Sequence, residues 1–216
     1  MASASRSEKL LNTILLACAL TVTALVVRRE LFGGTEGNGP RTQREWRQLG
    51  QKGWVISGSA GKVQLLVFSD FECPYCQGFA SGLDSLIMQY PTQLRVVFRH
   101  FPLTNLHKSA FATAVAAECA GQQGVFKPFH DAAFKAQDSL AALPLTTLAL
   151  RAGVRDTTVF QDCVKSDATS ARVKEDVATA ERIGSKGTPT IILNKRQFNG
   201  PPSIDSLRKL IEKLAG

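Results

Sequence analysis

The sequence has no second Cys-x-x-Cys and no pair of histidines at ligand spacing. That excludes a zinc ribbon or finger around Cys73 and Cys76, because a structural site takes four ligands from two such clusters. His100, His107 and His130 each stand alone, and Cys119 and Cys163 are single cysteines far apart. No metal-binding or nucleotide-binding motif is present, so no cofactor is implied. The chain is basic, with Lys+Arg 26 against Asp+Glu 18 and a net charge of +8. Yet no run of Lys and Arg is long enough to make a nucleic-acid tract, and the scattered charges read as a solvated surface. The local exception is Arg28, Arg29, Arg41, Arg44 and Arg47, which follow an apolar segment and could meet acidic lipid headgroups.

That apolar segment, residues 10–27, carries no charge, and Arg6 and Lys9 precede it. Its length is near the lower limit for a membrane-spanning helix, which needs about 20 apolar residues. Lys9 and Arg28 could extend its reach by snorkelling. A cleavable signal peptide would have a shorter apolar core ending in a small-x-small site. This run ends instead in Val26, Val27, Arg28 and Arg29. The expectation is therefore a short tail over 1–9 and an uncleaved signal anchor, one transmembrane helix, over 10–27. Cys18 within it reads as a small apolar filler. Residues 28–60 read as a linker, turn-rich over 33–40, with a short helix over 42–49. Trp46 and Trp54 are expected to dock this segment onto the domain C-terminal to it.

With 216 residues, 44% of them hydrophobic, there is room for one ordinary domain besides the appendage. That domain is expected over 61–216. Residues 63–68 are apolar except Gln64, as in a strand buried on both faces. A helical run follows from Pro74 to about Gln89, where Pro91 disfavours a helical Tyr90. Residues 94–99 read as the next strand, which makes a βαβ unit with parallel pairing. From about 100 to 188 the pattern is helical, with Phe111, Ala112, Val115 and Cys119 on one helical face. Phe126, Phe129, Ala133 and Phe134 share another face. Residues 191–194 read as a strand, 195–199 as a turn and short return strand, and the chain closes in an amphipathic helix capped by Ser203.

Cys73 and Cys76 fall where the first strand hands over to the first helix. The opening N–H groups of a helix lack internal partners and carry the positive end of its dipole. A thiolate at Cys73 is stabilised there and its pKa falls. Cys76, three residues on, lies one turn deeper on the same face and can reach Cys73. Pro74 suits a first-turn position. The plain alternatives are half a zinc site or two inert core thiols, and the strand-to-helix context argues against both.

Five segments in order then carry a resemblance. They are Phe68-Ser-Asp-Phe-Glu-Cys-Pro-Tyr-Cys76, Phe98-Arg-His-Phe-Pro-Leu103, Ala116-Ala-Glu-Cys-Ala120, Phe129-His-Asp-Ala-Ala-Phe134 and Gly187-Thr-Pro-Thr190. From about Val63 to the C-terminus the chain resembles the thioredoxin-fold disulfide oxidoreductases of the DsbA type, especially their membrane-anchored or secreted bacterial relatives. The resemblance implies an α/β thioredoxin-like fold with a helical insertion. It implies catalysis by Cys73 and Cys76, supported by Pro74, Tyr75, Thr188 and Pro189, with Pro189 as a cis-proline facing the cysteines. Cys119 and Cys163 would form the second disulfide that some members carry; two buried free thiols are the alternative. Substrates would be protein thiols and disulfides, with a redox partner to recycle the pair. A dithiol oxidant needs a compartment that does not reduce it, so the domain would lie outside the cytoplasm, tethered to the cell membrane. A reductase or isomerase, or a non-catalytic anchored binding module, are the competing readings.

Two departures from the resembling families stand out. They carry a buried acid six residues before the first cysteine, where this chain has Val67. Asp70 and Glu72 are nearer, but a strand-end Asp70 reads equally as solvated, which leaves the proton acceptor for Cys76 open. The inner dipeptide is Pro-Tyr where DsbA has Pro-His.

Overall fold

The computed structural model describes residues 6–32, 41–58, 60–198 and 200–216. The chain divides into two compact units, Met1–Asn38 and Gly39–Gly216. In the first, α1 (Arg6–Phe32) is a continuous helix. Its described side chains, residues 10–24, are all exposed. Among the described residues no helix is long and apolar enough to cross a membrane. The transmembrane helix expected over 10–27 is therefore not established. The turn-rich stretch 33–40 lies outside the described residues.

The second unit is built on a six-stranded sheet of order β1-β6-β5-β3-β4-β2. Its strands are β1 (Arg41–Thr42), β2 (Trp54–Ser57), β3 (Val63–Ser69), β4 (Leu94–His100), β5 (Thr190–Leu193) and β6 (Arg196–Phe198). β3 and β4 pair in parallel, Val63 opposite Leu94 through Ser69 opposite His100, and β5 runs antiparallel to β3 on its other side. The parallel pair needs a crossover, and α3 (Pro74–Gln89) supplies it. Every residue of β3 is buried. That follows from its place at the centre of a sheet covered on both faces, and explains why its sequence is a nearly unbroken apolar run.

The two faces separate by the two-residue period of a strand. Leu65 and Val67 point into the larger core with α3 and α9 (Ile204–Ala215). Leu66 and Phe68 point into a smaller one with Val97, Ile192 and Ala180. Between β4 and β5 the chain makes α4 (Ala110–Gln122), α5 (Phe126–Lys135), a 3-10 turn, α6 (Leu145–Arg151), α7 (Thr157–Lys165) and α8 (Asp167–Arg182). α4 is buried along nearly its whole length because α5, α6, α7 and α8 all pack on it. On the far face α8 is tied to β4 by a buried ion pair, Arg99 Nη2 to Asp176 Oδ1 at 2.5 Å.

The segment expected as a linker over 28–60 is folded from Arg41 on, as β1, α2 (Trp46–Leu49) and β2 close the two edges of the sheet. Trp54 stacks on Phe126 at 5.0 Å and its indole N–H donates to Glu118 Oε1 at 2.9 Å. Gly121 admits that ring: a Cβ there would stand 2.5 Å from the Trp54 ring atoms.

Candidate active site

Cys73 is the N-cap of α3, in extended conformation at φ −80 and ψ 119, with Pro74 in the first turn. The turn that places it is closed by Cys73 N–H donating to Asp70 O at 3.2 Å. Behind it, Gln137 Nε2 donates to the carbonyls of Phe71 at 2.7 Å and Cys73 at 3.1 Å, so the helical insertion pins the turn from the far side. Both cysteines are free thiols. Cys76 is fully enclosed, and Tyr75 between them is 74% exposed.

The peptide bond Thr188–Pro189 is cis. It delivers the Thr188 carbonyl to the active site, where the Cys73 thiol donates to it across 3.4 Å. A shallow groove continues past it, lined by Thr188, Pro189, Thr190, Gln197 and Phe198. The structure thus brings Cys73, Pro74, Cys76, Thr188 and Pro189 together and leaves Tyr75 at the rim.

The two thiols are driven apart electrostatically. As a thiolate that accepts instead of donating, Cys73 is lowered to about 5, first by the hydrogen bond from Cys76 and then, against its own burial, by the Thr188 side chain and the backbone of Cys76 and Tyr75. Burial pushes Cys76 well above 9, and the charge on Cys73 adds to that. At neutral pH the pair is one thiolate and one thiol. That is the division of labour disulfide exchange needs: an outer nucleophile and an inner thiol that stays protonated until used.

Asp70, which could have been solvated, is buried. Its Oδ1 accepts the Glu72 N–H at 2.8 Å, and its Oδ2 accepts the Leu103 N–H at 2.8 Å and meets His107 Nδ1 at 2.7 Å. Burial alone would lower the His107 pKa, but the Asp70 carboxylate outweighs it and the net shift is upward; the Cys73 charge contributes in the same direction. His107 is a functional neighbour that the sequence did not single out. Its signal was the Phe98–Leu103 motif, where Phe101 N–H donates to Ser69 O at 2.8 Å and Leu103 N–H to Asp70, which brings the loop after β4 beside the active-site turn. The position six residues before Cys73 is Val67, in the apolar core as its sequence dictates.

Cys119 and Cys163 are disulfide-bonded, with Cα atoms 5.7 Å apart, and join α4 to α7. Among the described residues no group of His, Cys, Asp and Glu could hold a metal ion.

A cysteine pair at a helix N-terminus facing a cis-proline across a mixed sheet defines a thioredoxin-fold protein. The chain belongs to the thioredoxin family, whose model matches residues 51–213. Among curated proteins it is similar to the Na(+)/H(+) antiporter NhaA 3 of Salinispora tropica, 36% identical over 145 residues that cover 67% of this chain. It spans only 22% of the length of that relative. Among solved structures it is similar to a thioredoxin-like oxidoreductase from Silicibacter pomeroyi, at TM-score 0.66 and 23% identity, covering 79% of this chain and 96% of that one. It is also similar to the thiol-disulfide exchange protein alpha-DsbA2 from Wolbachia pipientis, at TM-score 0.63 and 18% identity, covering 79% and 92%. The fold is DsbA-like.

Proposed function

We propose that this chain is a thiol:disulfide oxidoreductase that exchanges disulfides with protein substrates through Cys73 and Cys76, outside the cytoplasm, and works as an oxidant. The observation that carries the reading is the geometry of the pair: Cys73 caps α3, Cys76 is enclosed one turn behind it and the cis Thr188–Pro189 bond sets the Thr188 carbonyl 3.4 Å from Cys73 Sγ, an arrangement that lowers Cys73 and raises Cys76. In the oxidising direction a substrate thiolate attacks Cys73 Sγ. The Cys73–Cys76 bond breaks, Cys76 leaves and takes up a proton, and a mixed disulfide holds the substrate on Cys73. A second substrate thiolate attacks the substrate sulfur, and Cys73 leaves as a stabilised thiolate. Electrons pass only between sulfurs, so the redox-active cysteine pair serves in place of a cofactor. A separate redox partner must reoxidise the pair after each cycle. Stabilising the Cys73 thiolate stabilises the reduced form, which raises the reduction potential and favours the oxidant role over a reductase or isomerase. The groove beside Pro189 suits an extended substrate segment that pairs with the Thr188 backbone as an added strand.

The test is substitution of each cysteine. Cys73→Ser should abolish exchange, while Cys76→Ser should trap substrates as mixed disulfides on Cys73. If Cys76→Ser cross-linked no more protein than the unaltered chain, the assigned roles would be wrong. Equilibration with glutathione buffers then fixes the direction, a potential as low as that of a cytosolic reductant being incompatible with an oxidant.

The placement rests on the compartment a dithiol oxidant needs and on the uncharged run 10–27, whose described residues in α1 are exposed. Among the described residues no helix is long and apolar enough to cross a membrane, so the tether is proposed from the uncharged sequence run alone. Protease added to spheroplasts should remove the domain, and full protection would place it in the cytoplasm.

A further inference from the structure

Cys76 must lose a proton before it can close a disulfide with Cys73, and burial makes that loss difficult. Its neighbours define where the proton can go. A small cavity lies against Cys76, lined among others by Val67, Ser69, Phe98, His130 and Phe134. Of the residues that line it, only Cys76 and His130 ionise. It has about 10 Å³ of room for the centre of a water molecule, close to the roughly 10–15 Å³ that one ordered water requires. His130 and Phe134 also line an open pocket on the other side, together with Gln77, Asp84, Asp131 and Lys135. His130 therefore lines both the narrow space behind Cys76 and the open pocket.

The ring is held ready to accept a proton. Its Nδ1 meets Asp131 Oδ1 at 2.8 Å. That bond fixes the proton of the neutral ring on Nδ1 and leaves the lone pair on Nε2. The Phe98 ring packs 5.1 Å from it and the Phe134 ring 4.9 Å. Burial lowers the His130 pKa and so keeps the ring neutral near pH 7; Asp131 on its own helix and Asp84 on α3 pull the other way, and Lys127 adds to the lowering. Lys135 lines the open pocket, and His100, 5.2 Å from the same Phe98 ring, pairs with Glu118 at 3.4 Å.

We propose that His130 is the proton acceptor for Cys76 when the pair closes, linking the cavity behind Cys76 to the open pocket. This rests on the reading of Cys73 and Cys76 as the exchanging pair. With a substrate sulfur bonded to Cys73 Sγ, the Cys76 proton passes through the cavity to His130 Nε2. The Cys76 thiolate attacks Cys73 Sγ. The Cys73–Cys76 bond forms, the bond from Cys73 to the substrate sulfur breaks, and the substrate leaves as a thiolate. The imidazolium gives its proton to solvent in the open pocket. The two cysteines are oxidised and the substrate disulfide is reduced. In the oxidising direction the same steps run in reverse, and His130 returns a proton to the leaving Cys76.

The test mixes reduced full-length protein with excess oxidised glutathione, quenches with acid and weighs the products, so that mixed-disulfide formation and closure are timed separately from pH 5 to 9. In the unaltered protein closure should rise as His130 becomes neutral, at a pH below the ordinary imidazole value, and then level off. His130→Gln should leave formation unchanged, slow closure at pH 7 by about 10²-fold, a typical general-base contribution, and make closure rise with hydroxide instead. Asp131→Asn keeps the ring and removes the carboxylate that raises its pKa, so the inflection should move to lower pH; this variant decides the matter if His130→Gln does not fold. Closure profiles for both variants that superimpose on the unaltered protein would overturn the proposal. If the unaltered protein formed no mixed disulfide at all, the exchange reading itself would fail instead.

Discussion

Cys73 is acidic because groups from two parts of the chain converge on it: the Cys76 thiol and the backbone at the start of α3, and the Thr188 side chain across the groove. The Cys73 charge raises the pKa of His107 in the loop after β4, so by reciprocity an imidazolium there favours the thiolate. The Asp70 carboxylate, buried and bonded to it, raises its pKa and so increases the share of imidazolium facing the thiolate. His107→Ala removes that cation and should raise the Cys73 pKa, by about one unit at most given the partial exposure of the imidazole. The pH dependence of iodoacetamide alkylation at Cys73 reports it, and an inflection still at about 5 would show that His107 does not tune the site. The placement of Cys73 and Cys76 at a helix start was legible in the sequence because it depends on local order, a strand, a proline and a helix start within a few residues. The roles of Asp70 and His107 were not. Whether a strand-end carboxylate is solvated or buried depends on what the chain does 33 to 37 residues later, when Leu103 N–H and His107 arrive to satisfy it. His130 was visible as one polar residue among Phe126, Phe129 and Phe134, but its relation to Cys76 exists only once α5 packs on α3.

At the scale of elements, the legible ones were those with an unbroken period: β3, α3 and β4, and the helices between β4 and β5. The two edge strands in 41–57 were read as linker. They are two and four residues long, they sit at the edges of the sheet, and only Ile56 among their residues is buried, so their sequence is too short to show a period. The close of the helical part depends on one covalent link. The disulfide of Cys119 with Cys163 ties α4, buried at the centre, to α7 at the side, across a sequence separation of 44. Closing a loop of that length stabilises the folded chain by about 4 kcal/mol in the chain-entropy model. The double variant Cys119→Ala, Cys163→Ala should therefore lower the unfolding free energy by up to about that amount. Exchange should survive in whatever fraction stays folded, since Cys73 and Cys76 lie on α3. Urea denaturation of both forms, with Cys73 and Cys76 kept oxidised, measures the difference, and an unchanged midpoint would mean that packing around α4 suffices without the link.

For the whole molecule, the ionisation of one thiol joins redox state to stability. In the oxidised chain neither Cys73 nor Cys76 titrates. In the reduced, folded chain Cys73 is a thiolate above about 5, whereas its ordinary value is 9.0. A depressed pKa of this kind contributes stability that is fully present above the ordinary value and is lost as pH falls through the folded one. The reduced form should therefore gain on the oxidised form as pH rises from about 5 to 9. Cys76 is raised above its ordinary 9.0, so it is protonated in both folded and unfolded chains over most of that window and only near pH 9, where the unfolded thiol ionises, does it begin to offset the gain. The reduction potential must follow the same proton. Below about 5 the couple takes up two protons with two electrons; above it, one. A tenfold change in the equilibrium constant is about 30 mV for a two-electron couple. The potential should thus fall by about 59 mV per pH unit below the break and about 30 mV per unit above it. His107, whose pKa the thiolate raises, takes up a fraction of a proton on reduction and blurs the break, so His107→Ala should sharpen it while moving it upward. Equilibration with glutathione between pH 4.5 and 8, on the unaltered chain and on Cys73→Ser as a blank, gives the slopes. A steep slope that persists to pH 8 would put the Cys73 pKa back among ordinary thiols and remove the physical basis for an oxidant.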